Sequence, residues 1–350
     1  MLNPSQKLNP HLFDKDVELV AIRKGFGEGL LKAAEADKRI VGLCADLTES
    51  THMTAFKAKF PDRFVEMGVA EQNLAALASG MAAMGKIPFI TSYAMFSPGR
   101  NWEQIRTTIA YNNRPVKIAG SHAGISVGPD GGTHQAIEDI AITRVIPRMV
   151  VISPCDAIEA RKATIAASKT DSPTYIRLAR NNTPVITTDE TPFEIGKAVT
   201  VFDSRLNTSD PQVKAQLTKK YPVINQKLDI GIIATGALLY KAIRVAKKLN
   251  QEGKRVAVIN LATIKPLDEE TIIRLARDAG AIITVEEHQI AGGMGSAVAE
   301  CLANNYPVLM DFIGVHDQFG QSGTPEQLIE HYGMGEKDIY NAAVKLMLRK

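Results

Sequence analysis

Only three cysteines occur in 350 residues, and Cys44, Cys155 and Cys301 are widely spaced in apolar contexts. That excludes a disulfide framework and a zinc-ligand pattern and leaves them as packing residues. Neither sign of charge dominates: 41 basic side chains oppose 38 acidic ones for a net +3, spread along the chain, so neither nucleic acid nor an anionic membrane is an expected partner. No stretch has the roughly 18 uncharged apolar residues of a membrane span. The N-terminus, "MLNPSQKLNPHLFDKDVELV", has no apolar core behind a basic segment, and a cytoplasmic location is expected. Also missing are GxGxxG in a strand and helix setting, GxxxxGK[ST] and GxSxG. The glycines of "AGGMGSAVAE" have the wrong spacing for a dinucleotide fingerprint and read as a close-packed turn.

What remains is a chain long enough for two cores of about 100 to 200 residues each. From residue 17 helical and β-rich patterns alternate: "RKGFGEGLLKAAEAD" helix, "RIVGLCAD" strand, "EQNLAALASGMAAMG" helix, "IPFITSY" strand, and so on to "PTYIRLA". The alternation predicts an α/β fold with a mostly parallel sheet, whose ligands sit at the C-terminal strand ends. Residues 1–16 are an N-terminal extension and 17–185 a first domain. The stretch 186–228 is polar, holds three prolines, and reads as a linker with one strand and an insertion at 203–227 of unassigned role. A second, smaller α/β domain follows over 229–350, from "LDIGIIATG" to a C-terminal helical pair.

Glu71 stands at a strand-to-helix junction, before more than a dozen uncharged residues. It is either a helix cap or a functional carboxylate facing a nitrogen ligand. The Ala- and Gly-rich helix behind it permits close approach of another helix. In "GSHAGISVGPDGGTHQAIED", a glycine-rich loop displays His122, Asp130, Thr133 and His134, suited to proton transfer or polyol recognition. Tyr93 and Phe96, past a strand end, form either a core aromatic pair or a platform for a planar heterocycle. Arg23, Asp46, Ser50 and Arg180 each abut an element end; separately they are ordinary surface residues, and together the Arg and Ser residues could converge on a phosphate ester.

Taken in order, "GVAEQN", "TSYAMF", "SHAGISVGPDGGTHQ", "RLARNN", "ATIKPLD", "TVEEH" and "GGMGSAVAE" resemble the C-terminal half of transketolase over nearly the whole chain. The resemblance implies a thiamine diphosphate pyrimidine-binding domain followed by a C-terminal domain concerned mainly with structure and dimerisation. Glu71 matches the glutamate that hydrogen-bonds the cofactor's aminopyrimidine and drives it to the imino tautomer that deprotonates the thiazolium carbon. Tyr93, where the family more often has Phe, and Phe96 match aromatics packed on the pyrimidine; Asp46 and Leu47 match residues that approach the cofactor. His122, Asp130 and His134 match the polar lining of the sugar channel, where the two histidines assist proton transfer. Arg23, Ser50 and Arg180 match a phosphate-binding set at its mouth.

The family's magnesium and diphosphate motif, GDG with a downstream Asn, is missing, so the chain resembles the C-terminal subunit of a split transketolase. On that resemblance an N-terminal subunit holds the diphosphate with its Mg2+ or Ca2+, and this chain contributes no metal ligand. The assembly is an α2β2 heterotetramer acting on sugar phosphates in the pentose phosphate pathway. Alternatives of the same cofactor class are a relative of 1-deoxy-xylulose-5-phosphate synthase or the beta chain of a 2-oxo-acid dehydrogenase, both of which share parts of "AEQN" and "THQ". A further alternative is a non-catalytic regulatory homologue.

Overall fold

The computed structural model describes residues 1–206 and 227–350. Most of the insertion expected at 203–227 lies outside them. The first domain alternates β1 (Leu19–Ala21), α1 (Ile22–Ala36), β2 (Ile40–Cys44), α2 (Thr54–Lys59), β3 (Phe64–Glu66), α3 (Glu71–Ala83) and β4 (Ile87–Tyr93). It continues through α4 (Trp102–Gln104), which runs into a π-helical turn at Ile105–Ala110, then β5 (Lys117–Ala123), α5 (Asp139–Arg144), β6 (Val150–Ile152), α6 (Ala157–Ser168), β7 (Thr174–Ala179) and β8 (Asn182–Pro184). The second comprises β9 (Val199–Asp203), β10 (Ile230–Ala234), α7 (Leu239–Gln251), β11 (Val256–Asn260), β12 (Thr263–Lys265), α8 (Glu269–Ala279), β13 (Ala281–Gln289), α9 (Met294–Asn305), β14 (Leu309–Val315), α10 (Pro325–His331) and α11 (Glu336–Arg349).

The α/β class expected from the alternation is the one observed. The described residues build a seven-stranded sheet ordered β12-β6-β7-β5-β4-β2-β3, a five-stranded sheet ordered β14-β13-β10-β11-β9, and a small β1-β8 ladder. All neighbours in the large sheets are parallel except β12 on β6 and β9 on β11. The central strands are buried along their whole length, as parallel strands covered on both faces must be.

Two features tie the domains together. β12 follows β11 in sequence yet pairs with β6, so the second domain supplies an edge strand of the first sheet. Residues 1–16 lie against the second domain: Met1 and Asn3 make backbone hydrogen bonds with Asp203 and Val201, and Leu12 is buried in that domain's apolar core. All three cysteines are buried and unpaired. Among the described residues no helix is long and apolar enough to cross a membrane.

Candidate active site

Five neighbouring strands deliver the sequence-predicted residues to one sheet edge. In the order β7, β5, β4, β2, β3, their C-terminal ends carry Arg180, His122, Tyr93, Asp46 and, at the head of α3, Glu71. The β1-β8 ladder then brings the start of α1 beside the end of β7, and Arg23 Nη1 donates to the carbonyl of Arg180.

Glu71 is 1% exposed. Its Oε1 accepts from Ser92 Oγ at 3.2 Å, and its Oε2 from Arg100 Nη1 at 2.5 Å. Asn101 Nδ2 holds the Glu71 carbonyl at 2.9 Å, while Asn101 Oδ1 is buried with no partner. The helix dipole and the first-turn N–H groups favour a negative charge at this point. The Arg100 side chain is 47% exposed, so the partner of this buried carboxylate can swing into solvent.

The aromatic residues extend from that carboxylate toward the two arginines. Arg100 lies over the Phe96 ring at 4.8 Å; Phe96 is near-parallel to Tyr93 with centroids 6.3 Å apart; Tyr93 stacks on His122 at 3.9 Å. His134 meets Phe96 edge-on at 5.4 Å. One face of Tyr93 is therefore taken by His122, while both aromatic rings keep partial exposure. The His122 imidazole accepts or donates at Nδ1 to Ser121 Oγ, 2.9 Å away. Burial first, then the charges of Arg23 and Arg180, push its pKa down to about 3, so it is neutral at physiological pH. His134 pairs with Thr133 Oγ1 at 2.9 Å, and Asp130 is exposed at the loop tip.

Arg23, Asp46, Leu47 and Ser50 line one open cleft of about 500 Å3, together with Thr48, Glu49 and His52. Glu66, at the end of β3, braces its wall by accepting from Asp46 N at 2.7 Å and Thr48 Oγ1 at 3.0 Å. Arg23 Nε is buried with no partner, and burial followed by the Arg180 charge lowers its pKa. Spare guanidinium donors in a cleft with a hydroxyl and an imidazole suit an anionic group. Among the described residues no group of three or more His, Cys, Asp or Glu could hold a metal ion.

Sequence reasoning missed Ser92, Arg100, His52 and Glu66. Arg100 carried a readable signal, since it stands one helical turn past Phe96 in "FSPGR". His52 follows Ser50 by two residues and faces the cleft through a left-handed backbone, φ +60°, which no pattern announces.

Residues 18–185 match the transketolase pyrimidine-binding domain, and residues 219–339 the transketolase C-terminal domain. The chain is 36% identical over 338 residues to the 6-deoxy-6-sulfo-D-fructose transketolase subunit SqwH of Clostridium sp. (strain MSTE9), covering 97% of this chain and 98% of that one. It is 34% identical over 330 residues to an apulose-4-phosphate transketolase subunit of Phocaeicola vulgatus, covering 94% and 98%. A solved split-gene transketolase, described as an inactive β4 tetramer, superposes with a TM-score of 0.81 at 38% identity over 94% of this chain and 99% of that one. Transketolases of Rattus norvegicus and Homo sapiens also match, along 49% of their length.

Proposed function

The chain belongs to the transketolase family, and from that membership we propose that it is the C-terminal subunit of a split, thiamine diphosphate-dependent transketolase. It moves a two-carbon ketol unit from a ketose phosphate to an aldose phosphate after joining an N-terminal partner subunit. The observation that carries the reading is the continuous edge from Glu71 through Phe96, Tyr93 and His122 to Arg23 and Arg180. A buried carboxylate stands at one end of that edge and two arginines at the other, which supports a proton-accepting role for Glu71 and phosphate binding near Arg23 and Arg180.

The donor set fits the aminopyrimidine part of the cofactor: a buried carboxylate at a helix start, with Tyr93 and Phe96 still partly open beside it. When bound, thiamine diphosphate supplies a carbon nucleophile and an electron sink for the two-carbon unit. Glu71 would hold the proton shared with the pyrimidine nitrogen, with Ser92 orienting Oε1 and Oε2 becoming available once Arg100 gives up the bond it makes there. Asp46 and Leu47, on the Glu66-braced turn, would help to hold the cofactor. His122, kept neutral, and His134 exchange hydrogen bonds and protons with sugar hydroxyls, and Asp130 adds an acceptor from the loop tip. Arg23, Ser50 and Arg180 bind the terminal phosphate.

The diphosphate and its Mg2+ or Ca2+ are assigned to the partner, because the family's GDG motif is missing from this sequence. Assembly into an α2β2 heterotetramer is supported by apolar surface around α3, where Val69, Leu77 and Met84 are 70%, 40% and 83% exposed. The test is two-carbon transfer from xylulose 5-phosphate to ribose 5-phosphate with thiamine diphosphate and Mg2+, by this chain alone and with an N-terminal partner. Because relatives are named for other sugars, 6-deoxy-6-sulfofructose and apulose 4-phosphate join the panel. Activity confined to the mixture supports the proposal; no transfer with any sugar in an assembled complex rejects it.

A further inference from the structure

The glycine-rich loop that carries His134 and follows His122 is shaped from outside its own domain. Three of its glycines pack directly on the second domain. A Cβ on Gly132 would lie 2.7 Å from the carbonyl oxygen of Gly320, and one on Gly131 2.7 Å from Ser322 Oγ. Gly128 approaches Gly323 and Pro325 in the same way, at 3.2 and 3.3 Å. These spacings leave little or no room for a side chain, so the loop's glycines serve close backbone approach as well as turning.

Polar groups fasten the same contact. Gln135, 2% exposed and next to His134, donates from Nε2 to the carbonyl of Ile125 at 3.0 Å and to that of Gln321 at 3.0 Å. One amide thus joins the two ends of the loop to the second domain. At the loop's start, Ser126 N donates to Glu287 Oε1 at 2.5 Å, and Glu287 Oε2 is buried with no partner. The Arg177 guanidinium fixes that strand from below, donating to the Glu287 carbonyl at 2.7 Å and to Asp139 Oδ2 at 2.8 Å.

We propose that the second domain is a template for the sugar-facing loop, with Gln135 and Glu287 as the positioning residues. The segment 320–325 and β13 hold residues 124–135 in the one shape that presents His122 and His134 together. This gives the C-terminal domain a part in substrate recognition beyond support and dimerisation, and it rests on the reading of that loop as sugar-binding. Gln135 Oε1 and Glu287 Oε2 are already buried without partners, so a shift of the loop that also broke the Gln135 Nε2 and Glu287 Oε1 bonds would strand each side chain completely, and the loop has little freedom to adopt another shape while the contact stands.

The test separates loop geometry from activity. Gln135→Leu removes both hydrogen bonds at similar volume; Gly320→Ala, in the other domain, puts a methyl group 1.7 Å from Gln135 Oε1. Amide exchange by mass spectrometry on the full chain is expected to rise about tenfold or more in 124–135 in both variants, with the two large sheets as protected as before. In the assembled enzyme, KM for the donor sugar is expected to rise about tenfold while thiamine diphosphate affinity stays within about twofold. Unchanged exchange in 124–135 in either variant, or protection lost evenly across the chain in both, overturns the proposal. If the parent complex turns over no sugar, the exchange result still decides the template, and the failure falls on the proposed function alone.

Discussion

Arg100 donates from Nη1 to Oε2 of Glu71 at 2.5 Å, so the carboxylate at the head of α3 is engaged by a residue 29 positions further along its own chain. A cofactor ring that needs that oxygen has to displace the guanidinium first. Replacing Arg100 with Met is expected to tighten thiamine diphosphate binding by up to about tenfold, measured by calorimetric titration of the assembled complex. Weaker binding would assign Arg100 to holding the carboxylate in place instead.

Glu71→Gln keeps the shape and removes the carboxylate proposed to accept the proton. Turnover is expected to fall by about 100-fold or more with assembly intact, read by steady-state assay and analytical ultracentrifugation. Turnover within a few-fold of the parent would remove Glu71 from its proposed role.

His52 shares a cleft with Arg23 and Ser50, and burial followed by the Arg23 and Lys24 charges lowers its pKa. Its side chain is expected to donate to a terminal phosphate. His52→Ala should raise KM for phosphorylated donors about tenfold and leave kcat and the KM of unphosphorylated donors nearly unchanged. Equal losses on both donor types would argue for a structural part only.

The stability of the fold should fall on the acid side because of His122. Its folded pKa is about 3, against about 6.5 when unfolded. Between these values the unfolded chain binds the extra proton, so unfolding free energy drops as pH falls, by up to about 1.4 kcal/mol per pH unit from this group. Urea unfolding at pH 7 and pH 4.5 should show a shallower loss in His122→Asn than in the parent.

Glu159 gives the opposite slope. It is fully buried between the domains, accepting from Cys155 N at 2.7 Å and Asn260 Nδ2 at 2.8 Å, and burial, then the Asp156 charge, pushes its pKa up to about 7. The folded state keeps its proton from about pH 4.5 to 7 while the unfolded state has lost it, so stability declines across that range and the cost persists above it. Glu159→Gln is expected to raise Tm at pH 8 and leave it nearly unchanged at pH 4.5. Asn260 Oδ1, buried without a partner, can turn to accept the new amide. A lower Tm at pH 8 would show that the two N–H donors outweigh the burial cost.

Much of this arrangement was legible because it follows strand ends. Each of Asp46, Tyr93, His122 and Arg180 sits within two residues of a strand's last position, and a parallel sheet gathers such positions at one edge. Less was legible where the partner comes from far away. Nothing in "ATIKPLD" announces that Thr263–Lys265 pairs with β6, and nothing in the first sixteen residues announces their packing on β9. Among the described residues of 186–228, β9 joins the second sheet by antiparallel pairing with β11. Gln135, the last residue of "THQ", bonds a carbonyl of the segment 320–325, nearly two hundred residues away, which no local pattern announces.

The exchange of β12 between domains also bears on how the chain is made. Until residue 265 has left the ribosome, β6 is an open sheet edge, with unpaired backbone groups available to any extended segment nearby. The N-terminal segment is only partly placed before that: Lys7 and Asn9 pair with residues 185–191, whereas the apolar core that takes up Leu12 is completed later still. The first domain therefore emerges with its edge open and its leading segment only partly secured, and a chaperone that shields strand edges would find its target there during synthesis.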